Sequence, residues 1–182
     1  YTGRNKIGLF EGCYHGSSDS VLVGGGQLPE PSDDVKVGTP NADMGGLPTA
    51  VTSDAVLMKY NDNNAVIEAI DKHGDELAAI VIEPIIGAGG VIPAKSDFLK
   101  IVRDETRKRG IVMICDEVIS LRQAVGGAQA YYGVVPDMTT MGKIIGGGFP
   151  IGGVGGLKEF MKPLGEQGTV ANLGTFSANP IS

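Results

Sequence analysis

Two acids stand together directly after a short apolar run: Asp116 and Glu117 follow Ile111-Val-Met-Ile-Cys115. In open α/β sheets ligands bind beyond the carboxyl ends of strands, so acids placed there point at a site. Such an acid could hold the cationic ring nitrogen of a ligand, ligate Mg²⁺, or only cap the following turn. The magnesium role needs a G-x-x-x-x-G-K-[ST] loop. The one Gly-Lys pair, Gly142-Lys143, is followed by Ile144, so that phosphate cradle is excluded.

Lys143 lies 27 residues after Asp116, and eight of the fifteen residues from Gly142 to Gly156 are glycine. A lysine between apolar residues and a glycine-rich turn is expected to be desolvated. Burial lowers an ammonium pKa and makes the amine a nucleophile toward carbonyls. A surface lysine whose stem lies along apolar neighbours gives the same local sequence, and the chain has ten lysines. The company of a strand-end acid and of glycines that let backbone approach a bulky ligand favours chemistry.

Other reactive groups are sparse. Tyr14-His15-Gly16 offers an aromatic plate and an imidazole at a chain reversal, a pattern that ordinary packing also produces. His15 and His73 are the only histidines, and neither lies in H-E-x-x-H or beside a cysteine cluster, so no metal site is expected. There is no G-x-S-x-G elbow and no intact G-x-G-x-x-G. A phosphate- or nucleotide-binding module, using the glycine cluster as a backbone nest, remains an alternative.

The elements that must position these groups alternate between strand and helix. Lys6–Phe10 and Ala55–Met58 read as strands, and Ala78–Ile82 and Ile111–Cys115 as the continuous apolar strands of a buried parallel sheet. A helix is expected after Asn63 or Asn64 as its cap, with Val66, Ile67 and Ile70 inward, Glu68–Lys72 paired outside, and Gly74 as its stop. A second is expected from Ser96 to Arg109, with Phe98, Leu99, Ile101 and Val102 inward and Asp104–Lys108 and Glu105–Arg109 paired outside. Strand, helix, strand over 78–115 is a βαβ unit, which implies an α/β fold with a mostly parallel sheet and flanking helices. A short helix near Gln129–Tyr132 and a strand near Met138–Met141 follow. Gly24 to Pro48, rich in Gly, Pro, Asp and Ser, reads as a long loop.

Composition sets the outer bounds. The 182 residues suit one domain, and 42% apolar against 20% charged residues excludes a disordered chain. Glycine is 29 of 182, about twice its usual share, but clusters with no triplet period, which excludes collagen. A net charge of −6 lacks the basic footprint of a nucleic-acid binder. No apolar run reaches the roughly 18 residues that cross a bilayer. Two cysteines 102 positions apart suit a reduced, cytoplasmic protein. A chain that opens on Tyr1 and closes at Ser182 is expected to be a piece of something longer, or trimmed.

Several segments together resemble the class III aminotransferases, fold-type I enzymes that use pyridoxal 5'-phosphate. They are Glu11-Gly-Cys-Tyr-His-Gly16, Ile82-Glu-Pro84, Asp116-Glu-Val118, Gly127 to Asp137, Gly142 to Gly152, and Gly174-Thr-Phe-Ser-Ala-Asn-Pro180. They cover nearly the whole chain in family order and look most like the aminomutase branch. Ile119 stands where many members carry Gln, an absence of Gln shared by aminomutases and by β-amino-acid transaminases, so both remain open. The resemblance implies that residues 1–182 are the central part of the large cofactor domain, without the N-terminal segment or the small C-terminal domain. As a fragment, the chain could also be non-catalytic by itself.

By the same resemblance, Lys143 would condense with the cofactor aldehyde and then serve as the proton-transfer base. Asp116 would keep the pyridine nitrogen protonated. Val118 and Tyr14 would pack on the two ring faces, with His15 a further neighbour. Glu83 would lie on the substrate side. Thr175 would reach the cofactor phosphate of the neighbouring subunit in a homodimer, and Gly24–Pro48 would gate the site. The partner is thus a small amino or oxo acid.

Overall fold

The computed structural model describes residues 1–24, 47–165, 168–171, 174 and 179–182. Its elements run β1 (Lys6–Phe10), α1 (Thr49–Ser53), β2 (Ala55–Met58), α2 (Asn63–His73), β3 (Leu77–Ile82), β4 (Ile85–Ile86), β5 (Ile92–Pro93), α3 (Phe98–Arg109), β6 (Val112–Asp116), α4 (Gly127–Tyr131), β7 (Met138–Met141), β8 (Gly153–Gly156) and α5 (Lys158–Met161). Six strands form one sheet in the order β2-β1-β3-β6-β7-β8. The first five are parallel, and β8 joins antiparallel to β7. The expected α/β architecture with a mostly parallel sheet is the observed one. No helix among the described residues is long and apolar enough to cross a membrane.

β2, β3 and most of β6 are apolar because both faces of the sheet are covered there. On one face Phe10, Val56, Met58, Ile80, Ile82 and Met113 pack against Val66 and Ile70 of α2 and Phe98, Leu99 and Val102 of α3. On the other, Leu9, Ala55, Leu57 and Val81 form a smaller cluster with Val23. The register pairs Phe10 with Met58, Ile82 with Cys115 and Asp116 with Thr140. The segments that follow β1, β3, β6 and β7 therefore leave the sheet at one edge.

The helices differ from expectation at their ends. Asp62, not Asn63 or Asn64, caps α2; its Oδ1 accepts from the N–H groups of Asn64 and Ala65, each at 3.1 Å. A carboxylate at that position satisfies two orphan donors and meets the positive end of the helix. Replacing Asp62 with Ala is expected to cost about 1 kcal/mol in urea unfolding of the full-length protein. Ala65 and Ala69 face the core, while Ile67 points outward. The cap of α3 is Asp97, one residue beyond Ser96, and Gly110 closes it with φ 61°.

The outward pairs are rearranged as well. Lys108 reaches Glu105 at 2.6 Å rather than Asp104, and Arg109 crosses to Asp71 of α2 at 2.8 Å. A partner on the neighbouring helix competes with the one four residues away, which sequence spacing cannot show.

β8 was not expected, because Gly-Val-Gly-Gly has poor strand propensity. Its pairing requires glycine. A Cβ at Gly156 would lie 2.6 Å from the Asp137 carbonyl oxygen, so only a bare backbone can approach β7 this closely.

Candidate active site

The carboxyl ends of β1, β3, β6 and β7 deliver the chain segments that hold Tyr14 and His15, Glu83, Asp116 and Val118, and Lys143. These residues are spread over 130 positions of sequence. Parallel strands all leave the sheet at the same edge, which brings them together.

Asp116 is the last residue of β6 and is nearly buried. Its Oδ2 lies 2.8 Å from His15 Nδ1, and its Oδ1 accepts the Val118 N–H at 3.0 Å. Side-chain exposures of 4% and 6% place the imidazole–carboxylate pair away from water. Burial alone pushes the Asp116 carboxyl up, but His15 beside it, the Val118 N–H and the Thr140 hydroxyl together hold it below the usual range. The residue therefore stays ionised in a dry place, as a partner for a protonated ring nitrogen must. His15 Nε2 is buried and has no hydrogen-bond partner among the described residues.

Glu117 does not join Asp116 at the site. Successive side chains of a strand point to opposite faces, and Glu117 is turned inward with no exposed surface. Its oxygens accept the N–H groups of Gln129 at 2.7 Å and Ala128 at 3.2 Å, and the Ser120 hydroxyl donates to Oε2. It is the N-terminal cap of α4, supplied from eleven residues away. A Cβ on Gly127 would lie 2.5 Å from Oε1, and Gly127 sits at φ 83°. The Gly126-Gly127 pair was the sequence signal for this arrangement.

Lys143 begins the short turn after β7. The expected desolvation is corrected: the residue is exposed, and among the described residues no carboxylate pairs with its ammonium group. Its surroundings are glycines, which have no side chains to cover it, and Ile144 and Ile145 are themselves 37% and 40% exposed. Its backbone is the informative feature. Lys143 has φ 42°, in the left-handed region, next to glycines that would adopt it at little cost.

Val118 is half-buried and touches the position of Gly142, where a Cβ would meet both of its methyl groups at 3.5 Å. Tyr14 is 39% exposed, and its N–H donates to Glu83 Oε2 at 3.2 Å. Glu83 is buried at 2% exposure, and burial raises its carboxyl pKa. Thr175 and residues 25–46 of the expected gating loop lie outside the described residues. Among those described, no group of three or more His, Cys, Asp or Glu side chains converges as a metal site would.

The donor set suits pyridoxal phosphate: an ionised aspartate, a primary amine on the adjacent strand end, and a valine and a tyrosine beside them. Comparisons with known proteins agree. The glutamate-1-semialdehyde 2,1-aminomutase of Chlorobium phaeobacteroides is 48% identical over all of this chain and 41% of its own length. The crystal structure of an omega-transaminase from Sphaerobacter thermophilus is 46% identical with a TM-score of 0.85, over all of this chain and 42% of that one. A transaminase with PLP bound is 33% identical with a TM-score of 0.87, again over all of this chain and 42% of the other. The chain thus spans about two fifths of the length of these relatives. The description Aminotransferase class-III matches residues 1–182 from end to end, and the chain belongs to that pyridoxal-phosphate-dependent family.

Proposed function

We propose that the full-length protein moves an amino group with pyridoxal phosphate, in the manner of a glutamate-1-semialdehyde 2,1-aminomutase. Residues 1–182 form the central part of its large cofactor-binding domain. The observation that carries this reading is Asp116, ionised and buried against His15, on the strand beside the one that leads to Lys143.

Each residue then has a task. When bound, pyridoxal phosphate supplies an aldehyde and an electron sink for a carbanion. Lys143 would provide the amine that meets the aldehyde and would then act as the proton-transfer base. Asp116 holds a proton at the ring nitrogen, and His15 keeps Asp116 oriented. Val118 and Tyr14 bracket the ring. Thr175 is assigned to the phosphate of the neighbouring site in a homodimer, and two buried thiols, Cys13 and Cys115, suit a reducing cytoplasm.

Left-handed backbone at a lysine supports its role. Strain of this kind is kept where a side chain is needed. Without cofactor, Lys143→Gly is expected to be about 1 kcal/mol more stable than Lys143→Ala in urea unfolding. Equal stability would show that φ at this position is relaxed.

The direct test is chemical. Borohydride treatment of the cofactor-loaded protein should fix the cofactor on Lys143, located by peptide mass mapping, and Lys143→Ala should abolish the adduct. An adduct at another lysine, or none in the wild type, would overturn the proposal. A second reading, a transaminase, is favoured by the 46% identity to the omega-transaminase structure. Conversion of glutamate-1-semialdehyde to 5-aminolevulinate without an added amino acceptor selects the aminomutase. Dependence on a second amino–oxo pair selects the transaminase.

A further inference from the structure

We infer that Glu83 is a positioning residue: its buried carboxylate ties the turn after β1 to the hairpin β4–β5 and thereby sets the His15–Asp116 pair. The inference rests on the cofactor site proposed above and assigns Glu83 a place behind it rather than on its substrate side.

The contacts all point inward. Glu83 Oε2 accepts the Tyr14 N–H at 3.2 Å, and the Gly87 N–H and the Cys13 thiol lie near the carboxyl. A Cβ on Gly87 would already lie 3.7 Å from Oε1, so the hairpin turn closes directly over the carboxylate. Its own carbonyl oxygen accepts from the Tyr60 hydroxyl at 2.8 Å, which fixes the main chain at the end of β3. With 2% exposure, little of Glu83 is left to meet a substrate.

The consequence runs through one residue. Glu83 holds the Tyr14 amide, and the next residue, His15, is the one that reaches Asp116 at 2.8 Å. Releasing the amide frees both the aromatic plate and the imidazole. The ionisable groups that face Glu83 are Cys13 and His15 from the turn after β1, Tyr60 after β2, and Asp116 from β6. Cys13 and Tyr60 are pushed up by burial, so His15 and Asp116 are the neighbours that act on Glu83 through charge.

The test uses the full-length holoenzyme without substrate. Glu83→Ala should weaken pyridoxal phosphate binding about tenfold and shift the pH midpoint of the resting cofactor absorption band. Glu83→Gln, whose amide oxygen still accepts from Tyr14, should fall between Ala and wild type, and it decides the matter if the Ala variant does not fold. Acting through His15, the midpoint shift should largely vanish in a His15→Ala background. Unchanged cofactor affinity and midpoint, with a raised KM for the amino substrate, would overturn the proposal and make Glu83 a substrate contact. A wild type that takes up no cofactor would overturn the underlying site, and this proposal with it.

Discussion

Asp116→Asn in the full-length enzyme is expected to lower kcat about a thousandfold, equivalent to about 4 kcal/mol of transition-state stabilisation. Asn keeps the shape of the side chain and an oxygen for the Val118 N–H at 3.0 Å. It cannot carry the negative charge that the role proposed for Asp116 at the ring nitrogen requires. It also leaves His15, 2.8 Å away in a dry pocket, facing a neutral amide. Cofactor should still bind, because the ring faces and Lys143 are untouched, so the loss should appear in kcat more than in cofactor affinity. A reduction of less than tenfold would mean that the ring nitrogen does not depend on this carboxylate.

The same group predicts the acid behaviour of the fold. The folded pKa of Asp116 lies below its unfolded value, since His15, the Val118 N–H and the Thr140 hydroxyl outweigh burial. Its contribution to stability is therefore present above about pH 4 and lost as pH falls through the lowered folded value. Glu83 has the opposite sign. Burial raises its carboxyl, so the stability linked to its neutral form is complete below the unfolded pKa and is lost as pH rises through the folded one. Urea unfolding from pH 3 to 7 should separate the two, with Glu83→Gln flattening only the upper part of that range.

The strands were legible because a parallel strand buried on both faces must be apolar throughout, and Ala78–Ile82 and Ile111–Cys115 have no other reading at that length. Gly110 likewise announced the end of α3. Competition between neighbours was not legible. Asp62 takes the cap because its carboxylate reaches two N–H groups at once, and Arg109 leaves Glu105 because α2 places Asp71 beside it. β8 is invisible to propensity because its closest approach, at Gly156, leaves no room for a Cβ beside Asp137 and Met138.

At the site, the types and order of Tyr14, His15, Asp116, Val118 and Lys143 could be read, since strand ends follow from the strands. Which acid lines the candidate site could not be read from the pair itself. Asp116 and Glu117 differ only in the direction of alternation, and the register of β6 against β7 decides it. The exposure of Lys143 was also hidden, because glycine signals room for a ligand and removes the side chains that would bury a neighbour.

Glu117 turns that alternation into the largest expected loss of stability. Glu117→Ala should destabilise the full-length protein by about 4 kcal/mol in urea unfolding, because it leaves three groups without partners. Among the described residues the Ala128 and Gln129 N–H groups lose their only acceptor, and the Ser120 hydroxyl loses its own, beside a fully buried Glu117. Glu117→Gln should cost about half as much, because one oxygen still accepts while its NH₂ confronts a backbone donor. Gly127→Ala should reproduce much of the effect from the other side, since its new Cβ would lie 2.5 Å from Glu117 Oε1 at a φ of 83°. With α4 released, Gln129 also loses its place beside the Thr139 hydroxyl, 3.1 Å away on the strand that leads to Lys143. Weakened cofactor retention should therefore accompany the lost stability. A loss below 1 kcal/mol would show that water or another acceptor replaces the carboxylate.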